Sequence, residues 1–132
     1  MVEDNRADVV LLKEALSACE LTYRISVAQD GVEALDFLCR RAEFAQAPKP
    51  ELIILDLNLP RKGGREVIAE IMPDQELRKI PLIILTSSRA DQDIPATFGL
   101  PQDCYMIKPS NFRGYIELAG QIEAFRKRSS MG

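Results

Sequence analysis

Three short apolar runs in this sequence each end at a polar side chain: residues 52–55 at Asp56, residues 82–85 at Thr86 and residues 104–107 at Lys108. An acidic pair, Glu3 and Asp4, stands just before the first helical pattern. If the runs are neighbouring parallel strands, their carboxyl ends meet at one edge of a sheet, where ligands bind in such folds. We therefore expect three carboxylates, one hydroxyl and one ammonium to converge at that edge.

Charge repulsion limits the kind of site that these groups can form. Three carboxylates within a few ångströms repel one another strongly, and Lys108 offsets only one negative charge. A divalent cation offsets the rest, and a ligand set made of oxygen atoms suits Mg²⁺. With Mg²⁺ bound, an ionised Asp56 can attack an activated phosphoryl group while Lys108 and the cation neutralise its oxygens. Thr86 can then hydrogen-bond the product.

Composition excludes several other classes of protein. The chain has 132 residues and no histidine, so it has no Ser-His-Asp catalysis, no histidine-ligated zinc and no phosphohistidine of its own. Its net charge of −3 argues against nucleic-acid binding. No apolar run approaches the roughly 18–20 residues that cross a bilayer, and the start does not resemble a signal peptide. Three widely spaced cysteines, Cys19, Cys39 and Cys104, indicate reduced thiols. We expect a soluble, cytoplasmic protein.

Helical and strand patterns alternate along the chain. Helices are predicted at 5–19 with Asn5 as N-cap, at 32–41, at 64–72 and from 110 to 125, with a short or kinked one at Pro95. Strands are predicted at 23–27, 52–55, 82–85 and 104–107, and a loop at 45–50. This alternation predicts an α/β fold, an open parallel sheet with helices on both faces. We expect a single domain over residues 1–128 and a frayed tail at 129–132.

Five segments, at 2–5, 30–35, 55–60, 85–88 and 105–109, together resemble the receiver domain of response regulators in two-component signalling. The resemblance covers the chain to about Phe125. It implies a flavodoxin-like fold with a five-stranded sheet, Mg²⁺ as cofactor and a sensor histidine kinase as partner. Residues 56–62 and the long loop near Pro48 resemble a narrower group, the single-domain regulators that partner phytochrome-type kinases.

The resemblance also implies roles for the residues at the acidic edge. Asp56 resembles the phosphoacceptor, and Asp4 resembles the direct metal ligand. Glu3 matches an acidic residue that binds the metal alongside Asp4 through a water molecule. Asn58 matches the position whose backbone carbonyl binds Mg²⁺.

Further matches concern the response to phosphorylation. Lys108 resembles the lysine that pairs with the phosphoryl group. Thr86 resembles the residue that provides the switch hydroxyl, and the backbone N–H of Ser87 is expected to contact the phosphoryl group as well. Tyr105 matches an aromatic switch residue, although its pattern fits an ordinary half-buried strand residue equally well. Pro109 is expected to follow a cis peptide bond.

One departure from the family lies at the start of the chain. Only Met1 and Val2 precede Glu3, where the family has an apolar strand in the middle of the sheet. Losing four or five buried side chains at ~1.5–3 kcal/mol each removes roughly 6–15 kcal/mol. That is comparable with the whole stability of a domain, about 5–15 kcal/mol. We therefore expect Met1 to be an internal residue of the natural strand, and a strand added or swapped from another chain, as in a homodimer, to complete the sheet.

Three functions follow from these features. The first is a phosphorylation-controlled switch that signals by protein–protein contact and is not an enzyme. The second is a non-phosphorylated interaction module whose acidic edge is disabled by the short start. The third is a small Mg²⁺-dependent hydrolase, which Asn58 disfavours because an acid/base carboxylate is missing two residues after Asp56. None of the three involves nucleic acid or a membrane.

Overall fold

The computed structural model describes residues 1–21, 23–39, 49–59, 62–87 and 89–131. The helices are α1 (Arg6–Ala18), α2 (Gly31–Leu38), α3 (Gly64–Ile71), α4 (Ile94–Thr97) and α5 (Phe112–Met131), and the strands are β1 (Ile53–Leu55), β2 (Leu82–Thr86) and β3 (Tyr105–Ile107). Single 3₁₀ turns occupy Leu77–Lys79 and Gln102–Cys104. Most of the loop predicted at 45–50 lies outside the described residues.

The three strands form one parallel sheet in the order β1-β2-β3. Ile53 lies opposite Leu82, and Ile84 lies opposite Tyr105. All five residues of β2 are buried, as a strand covered on both faces requires. Helix α1 packs against α5, and α2 packs against α3. The predicted α/β fold with a parallel sheet is confirmed.

Side-chain caps set the starts of the first two helices. The Asn5 side chain accepts hydrogen bonds from the N–H groups of Ala7 and Asp8, at 2.9 and 3.3 Å, which confirms the predicted N-cap. Asp30 caps α2 by accepting the N–H of Glu33 at 2.8 Å. Because Asn5 ends the extended backbone, Glu3 and Asp4 remain at the end of the strand segment and outside the helix.

Two helices differ in length from ordinary ones. Helix α4 has only four residues, with Pro95 in its first turn, so the predicted short helix is confirmed. Helix α5 continues to Met131, three residues into the tail predicted to be frayed. Its last turns are tied to the rest of the domain by Arg128, whose guanidinium lies 2.8 Å from the Asp103 carboxylate. None of the helices in the described ranges is long and apolar enough to cross a membrane.

The strand predicted at 23–27 is wrong. Residues 23–27 form no ladder. The next residue, Ala28, forms a single bridge to Val2, and Val2 forms another to Leu55 of β1. Ala28 donates its N–H to the carbonyl of Met1 at 2.9 Å, and the Met1 amino group donates to the Ser26 carbonyl at 2.8 Å. A strand requires a hydrogen-bonded partner. Among the described residues, only Met1 to Glu3 provide hydrogen-bonding partners for this segment, so the pairing does not extend to residues 23–25.

A cavity of about 630 Å³ lies between this segment and β1, and it is lined by Leu12, Leu16, Ile25, Leu38, Leu52 and Ile54 among others. Val2 donates its N–H to the carbonyl of Ile54 at 2.7 Å. Because hydrogen-bonding groups alternate along a parallel strand, the Ile54 N–H and the Leu52 carbonyl face the same side as this bond, toward the cavity. The space therefore lies where one further parallel strand would continue from Val2.

Candidate functional site

The carboxyl ends of the strands bring the predicted groups together. Asp56 directly follows β1, Thr86 is the last residue of β2, and Lys108 directly follows β3. Lys108 donates its backbone N–H to the Thr86 carbonyl at 2.8 Å, and Asp56 donates its own to the Val2 carbonyl at 3.0 Å. Glu3 comes next after Val2, so its side chain reaches the same edge.

The Lys108 ammonium is the centre of this edge. Its Nζ lies 2.7 Å from Glu3 Oε1, 3.0 Å from Asp8 Oδ2 and 3.0 Å from Asp56 Oδ2. Glu3 and Asp56 are buried, and the Lys108 side chain is only 12% exposed. One ammonium therefore lies against three carboxyl groups, and removing it would leave the buried Glu3 and Asp56 side chains without a cationic partner.

The pKa values of these groups reflect that imbalance. Burial, with a smaller contribution from the Asp56 carboxylate, raises the pKa of Glu3 from 4.5 to about 7, although the contact with Lys108 acts to lower it. Burial acts against the charged form of Lys108, but its bonds to Glu3, Asp56 and Asp8 outweigh that effect and raise its pKa. Lys108 is thus a permanent cation at neutral pH.

The acidic residues fit a divalent cation. Glu3, Asp4 and Asp56 each offer a carboxylate oxygen, and the three oxygens lie within 4.8 Å of one another. Glu3 Oε1 is fully buried and, among the described residues, has no aligned hydrogen-bond donor despite its ion pair with Lys108. Asp4 is exposed, which leaves the cluster open to solvent on one side. An all-oxygen set with excess negative charge suits a hard cation such as Mg²⁺ or Mn²⁺.

Asn58 lies beside the phosphoacceptor candidate. It donates its backbone N–H to Asp56 Oδ1 at 3.1 Å, so the two Asp56 oxygens have different partners, Asn58 and Lys108. The predicted donation of the Asn58 carbonyl to a metal remains a prediction.

The loop after β1 packs closely on α3. A Cβ atom on Gly64 would lie only 2.7 Å from the carbonyl oxygen of Asp56, so only glycine allows α3 to begin this close to the site.

The predicted switch residues lie on β2 and β3. Thr86 is completely buried, Ser87 is exposed, and Tyr105 is half-buried at the start of β3. Burial raises the pKa of Tyr105. Thr86 pairs with Ile107 in the sheet, so Tyr105 lies two residues away along the neighbouring strand. This half-buried placement fits both an aromatic switch and an ordinary strand residue.

The cis bond predicted before Pro109 is wrong, because every peptide bond among the described residues is trans. The trans isomer of a bond to proline is favoured by about 0.5–1 kcal/mol unless the surroundings demand the other. Here Lys108 reaches its three carboxylates with the bond trans. The Pro109 ring lies against Gly114 of α5, where an added Cβ would come within 2.4 Å of it.

Two residues of the site were missed from the sequence, Asp8 and Tyr115. Asp8 Oδ2 contacts Lys108, and Asp8 Oδ1 accepts a hydrogen bond from the Tyr115 hydroxyl at 3.2 Å. Burial and the charge of Asp8 raise the pKa of Tyr115 to about 12. A signal was present in the sequence, because Asp8 follows Asp4 by four residues and falls in the first turn of the helix that Asn5 caps.

Comparisons with known proteins agree with this architecture. The family model of the response regulator receiver domain matches residues 1–119. The response regulator Rcp1 of Synechocystis sp. is 38% identical over 125 residues, which cover 95% of this chain and 85% of Rcp1.

Two crystal structures are similar over nearly the whole chain. One is the phosphorylated cyanobacterial phytochrome response regulator RcpA, with a TM-score of 0.82 and 41% identity, covering 94% of this chain and 89% of RcpA. The other is the Mn²⁺-bound form of Rcp1, with a TM-score of 0.82 and 36% identity, covering 94% and 89%. With the parallel sheet and the acidic edge, these matches confirm the resemblance: the chain belongs to the receiver domain family of response regulators.

Proposed function

We propose that this chain is a phosphorylation-controlled switch in which Asp56 accepts a phosphoryl group from the phosphohistidine of a sensor kinase. One observation carries the proposal. The buried Asp56 carboxylate lies 3.0 Å from the Lys108 ammonium and within 4.8 Å of the carboxylate oxygens of Glu3 and Asp4. A buried aspartate between a fixed cation and a metal-binding set has the surroundings that phosphoryl transfer requires.

In the transfer step, an Asp56 carboxylate oxygen forms a bond to phosphorus. The bond from phosphorus to the histidine nitrogen breaks, and its electron pair stays on the imidazole. Lys108 stabilises the charge on the phosphoryl oxygens, and its raised pKa keeps it protonated throughout. Glu3, Asp4, Asp56 and the Asn58 carbonyl would hold Mg²⁺, which neutralises further charge on the phosphoryl group when bound.

The response to phosphorylation is assigned to Thr86 and Tyr105. A phosphoryl group on Asp56 attracts the Thr86 hydroxyl, with the Ser87 N–H beside it, and space vacated at Thr86 allows Tyr105 to turn inward. The surface that changes is formed by α4, β3 and α5, and its output is contact with another protein. The chain is a substrate and participant in its own phosphorylation and not an enzyme that turns over.

The partner kinase is proposed to be of the phytochrome type. RcpA is described as a cyanobacterial phytochrome response regulator, and AtBRR, 35% identical to this chain with a TM-score of 0.75, as a bacteriophytochrome response regulator. We also propose a cytoplasmic location, since Cys19, Cys39 and Cys104 are all free thiols. Homodimerisation through α5 or through the open sheet edge belongs to the same proposal.

Intact mass spectrometry tests the phosphoryl transfer directly. The protein is incubated with a small phosphoryl donor and Mg²⁺, and one added phosphoryl group is expected. Asp56→Asn should abolish the addition and leave the fold intact by circular dichroism, whereas the exposed Asp93→Asn should accept the group as the wild type does.

Other outcomes would contradict the proposal. A stable phosphoryl group on the Asp56→Asn variant would refute the choice of acceptor. No addition to folded wild-type protein would favour the interaction module, and continuous release of phosphate would favour the hydrolase.

A further inference from the structure

A continuous series of polar contacts runs from the acidic edge to the last helix. Asp56 contacts Lys108 at 3.0 Å, Lys108 contacts Asp8 at 3.0 Å, and Asp8 accepts the hydrogen bond of Tyr115 at 3.2 Å. Asp56 follows β1, Asp8 lies on α1 and Tyr115 lies on α5. Because Lys108 follows β3, these four side chains join the ends of two strands to two helices.

Tyr115 is an unusual end point for such a series. It is 1% exposed and among the largest fully buried side chains of the domain. Its hydroxyl donates to Asp8, and a buried hydroxyl that loses its hydrogen-bond partner is unfavourable. The orientation of α5 against α1 is therefore sensitive to where the Asp8 carboxylate lies.

Building on the function proposed above, we propose that Asp8 is a positioning residue for Lys108 and, with Tyr115, forms a second connection by which phosphorylation of Asp56 reaches α5. This connection lies on the α1 side of the sheet edge and uses neither Thr86 nor Tyr105.

The physical reason is competition for one ammonium group. A lysine ammonium has three donors, and three carboxylate oxygens already lie within 3.0 Å of Lys108 Nζ. A phosphoryl group on Asp56 adds strong acceptors beside it, so one existing contact must weaken. Asp8 is the one to yield, because its side chain is 22% exposed and can exchange Lys108 for water. The side chains of Glu3 and Asp56, at 1% and 7% exposure, are shielded from water.

The consequence appears at Tyr115. Without Lys108, the Asp8 carboxylate carries an uncompensated charge and moves toward solvent. Its hydrogen bond with the Tyr115 hydroxyl then lengthens or breaks, and the packing of α5 on α1 readjusts around the buried ring.

Nuclear magnetic resonance of the three tyrosine rings can follow this change. The full chain is prepared with ¹³C-labelled tyrosine, and the Tyr115 signal is assigned from its absence in Tyr115→Phe. Phosphoryl uptake from a small donor with Mg²⁺ is measured in parallel by intact mass. In wild-type protein, phosphorylation should shift the Tyr115 signal.

Variants of Asp8 separate positioning from simple structural support. In Asp8→Asn the shift of the Tyr115 signal, compared at equal phosphorylated fraction by intact mass, should fall at least three-fold. Asp8→Glu should restore most of it, and Glu14→Gln, on the exposed side of α1, should leave it unchanged. An undiminished Tyr115 shift in phosphorylated Asp8→Asn would overturn the proposal.

A comparison in the resting protein makes the test independent of phosphorylation. Lys108→Ala should shift the Tyr115 signal in the wild-type background and have at least three-fold less effect when Asp8→Asn is already present. If the wild type takes up no phosphoryl group, the proposed function fails, and this comparison alone decides the connection. A Tyr115 signal that ignores Lys108→Ala refutes it.

Discussion

The two sides of β1 differ sharply. On one side, β2 pairs with β1 residue by residue, is buried throughout, and ends at Thr86 on the same edge as Asp56. On the other side, Val2 forms single bridges to Leu55 and Ala28, and beyond it lies a cavity of about 630 Å³. On the first side an apolar run with a hydrogen-bonded neighbour forms a strand, and on the second side a strand-like segment without such a neighbour does not.

The contrast does not come from the side chains alone. Tyr23, Ile25 and Val27 alternate with polar residues as a strand should, yet they form no ladder. The Met1 amino group already occupies a ladder position, since it donates to the Ser26 carbonyl. Among the residues that the structure describes, no backbone segment lies between residues 23–26 and β1 to complete a ladder.

The largest expected effect comes from filling that space. We consider a variant with four apolar residues, Val-Ile-Leu-Ile, added before Met1. Because Val2 lies opposite Ala28, the four added residues would lie opposite Tyr23 to Ser26. At ~1.5–3 kcal/mol for each buried side chain, the free energy of unfolding should rise by roughly 6–12 kcal/mol. Urea unfolding measures it.

A Gly-Ser-Gly-Ser extension of equal length is the control and should add little. Within the extended chain, Ser26→Pro removes a backbone donor of the new ladder and should cancel part of the gain, whereas Ser26→Ala should not. An apolar extension no more stabilising than the control would show that the cavity does not accept a strand.

The next effect concerns the complete side. Lys108→Ala should lower the free energy of unfolding by about 3–5 kcal/mol, because it leaves buried carboxylates unpaired. Mg²⁺ should restore stability in this variant more than in the wild type, since the cation replaces the missing charge. Lys62→Ala is the matched control, because its 2.6 Å ion pair with Glu70 lies at the surface, with the two side chains 29% and 51% exposed, and such a pair contributes under about 1 kcal/mol. Equal losses in the two variants would contradict the central role of Lys108.

A pair of isoleucines compares the packing on the two sides. Ile84 in β2 is fully buried, whereas Ile25 lines the cavity and is half-exposed. Ile84→Ala should lower the free energy of unfolding by about 2–5 kcal/mol. Ile25→Ala should lower it by well under that, because the Ile25 side chain borders the cavity. Thermal and urea unfolding of both variants give the difference. Similar costs would mean that the cavity side is packed as tightly as the sheet.

The smallest effect is a pH dependence at the open side. Burial, and then the charge of Lys13, lowers the pKa of the Met1 amino group from 8.0 to about 6. Between these values the unfolded chain binds more protons than the folded one, so this group makes stability rise as pH increases from 6 to 8.

Urea midpoints of free and N-terminally acetylated protein across this range isolate the contribution. The acetylated protein should lack the rise, while the opposing contribution of Glu3, whose raised pKa favours the folded state at lower pH, is common to both. Identical slopes would show that the amino group is solvated in the folded protein.

Much of the site was predictable because parallel sheets obey a simple rule. Asp56, Thr86 and Lys108 each follow an apolar run, and the carboxyl ends of parallel strands share one edge. Asn5 as a cap and the short helix at Pro95 were also predictable, since both depend on residues close in sequence. The contact between Asp8 and Tyr115 was not predictable, because 107 residues separate them and only the packing of α1 on α5 brings them together.

Local sequence is enough to identify the polar groups at the ends of the apolar runs and the approximate starts of the helices. Those features arise from backbone preferences and from the alternation of side chains, which act over a few residues. Tertiary structure alone decided that residues 23–27 form no strand, that the bond before Pro109 is trans, and that Lys108 is shared among Glu3, Asp8 and Asp56. Each of these depends on a partner distant in sequence, and a hydrogen bond or ion pair exists only where the fold supplies that partner.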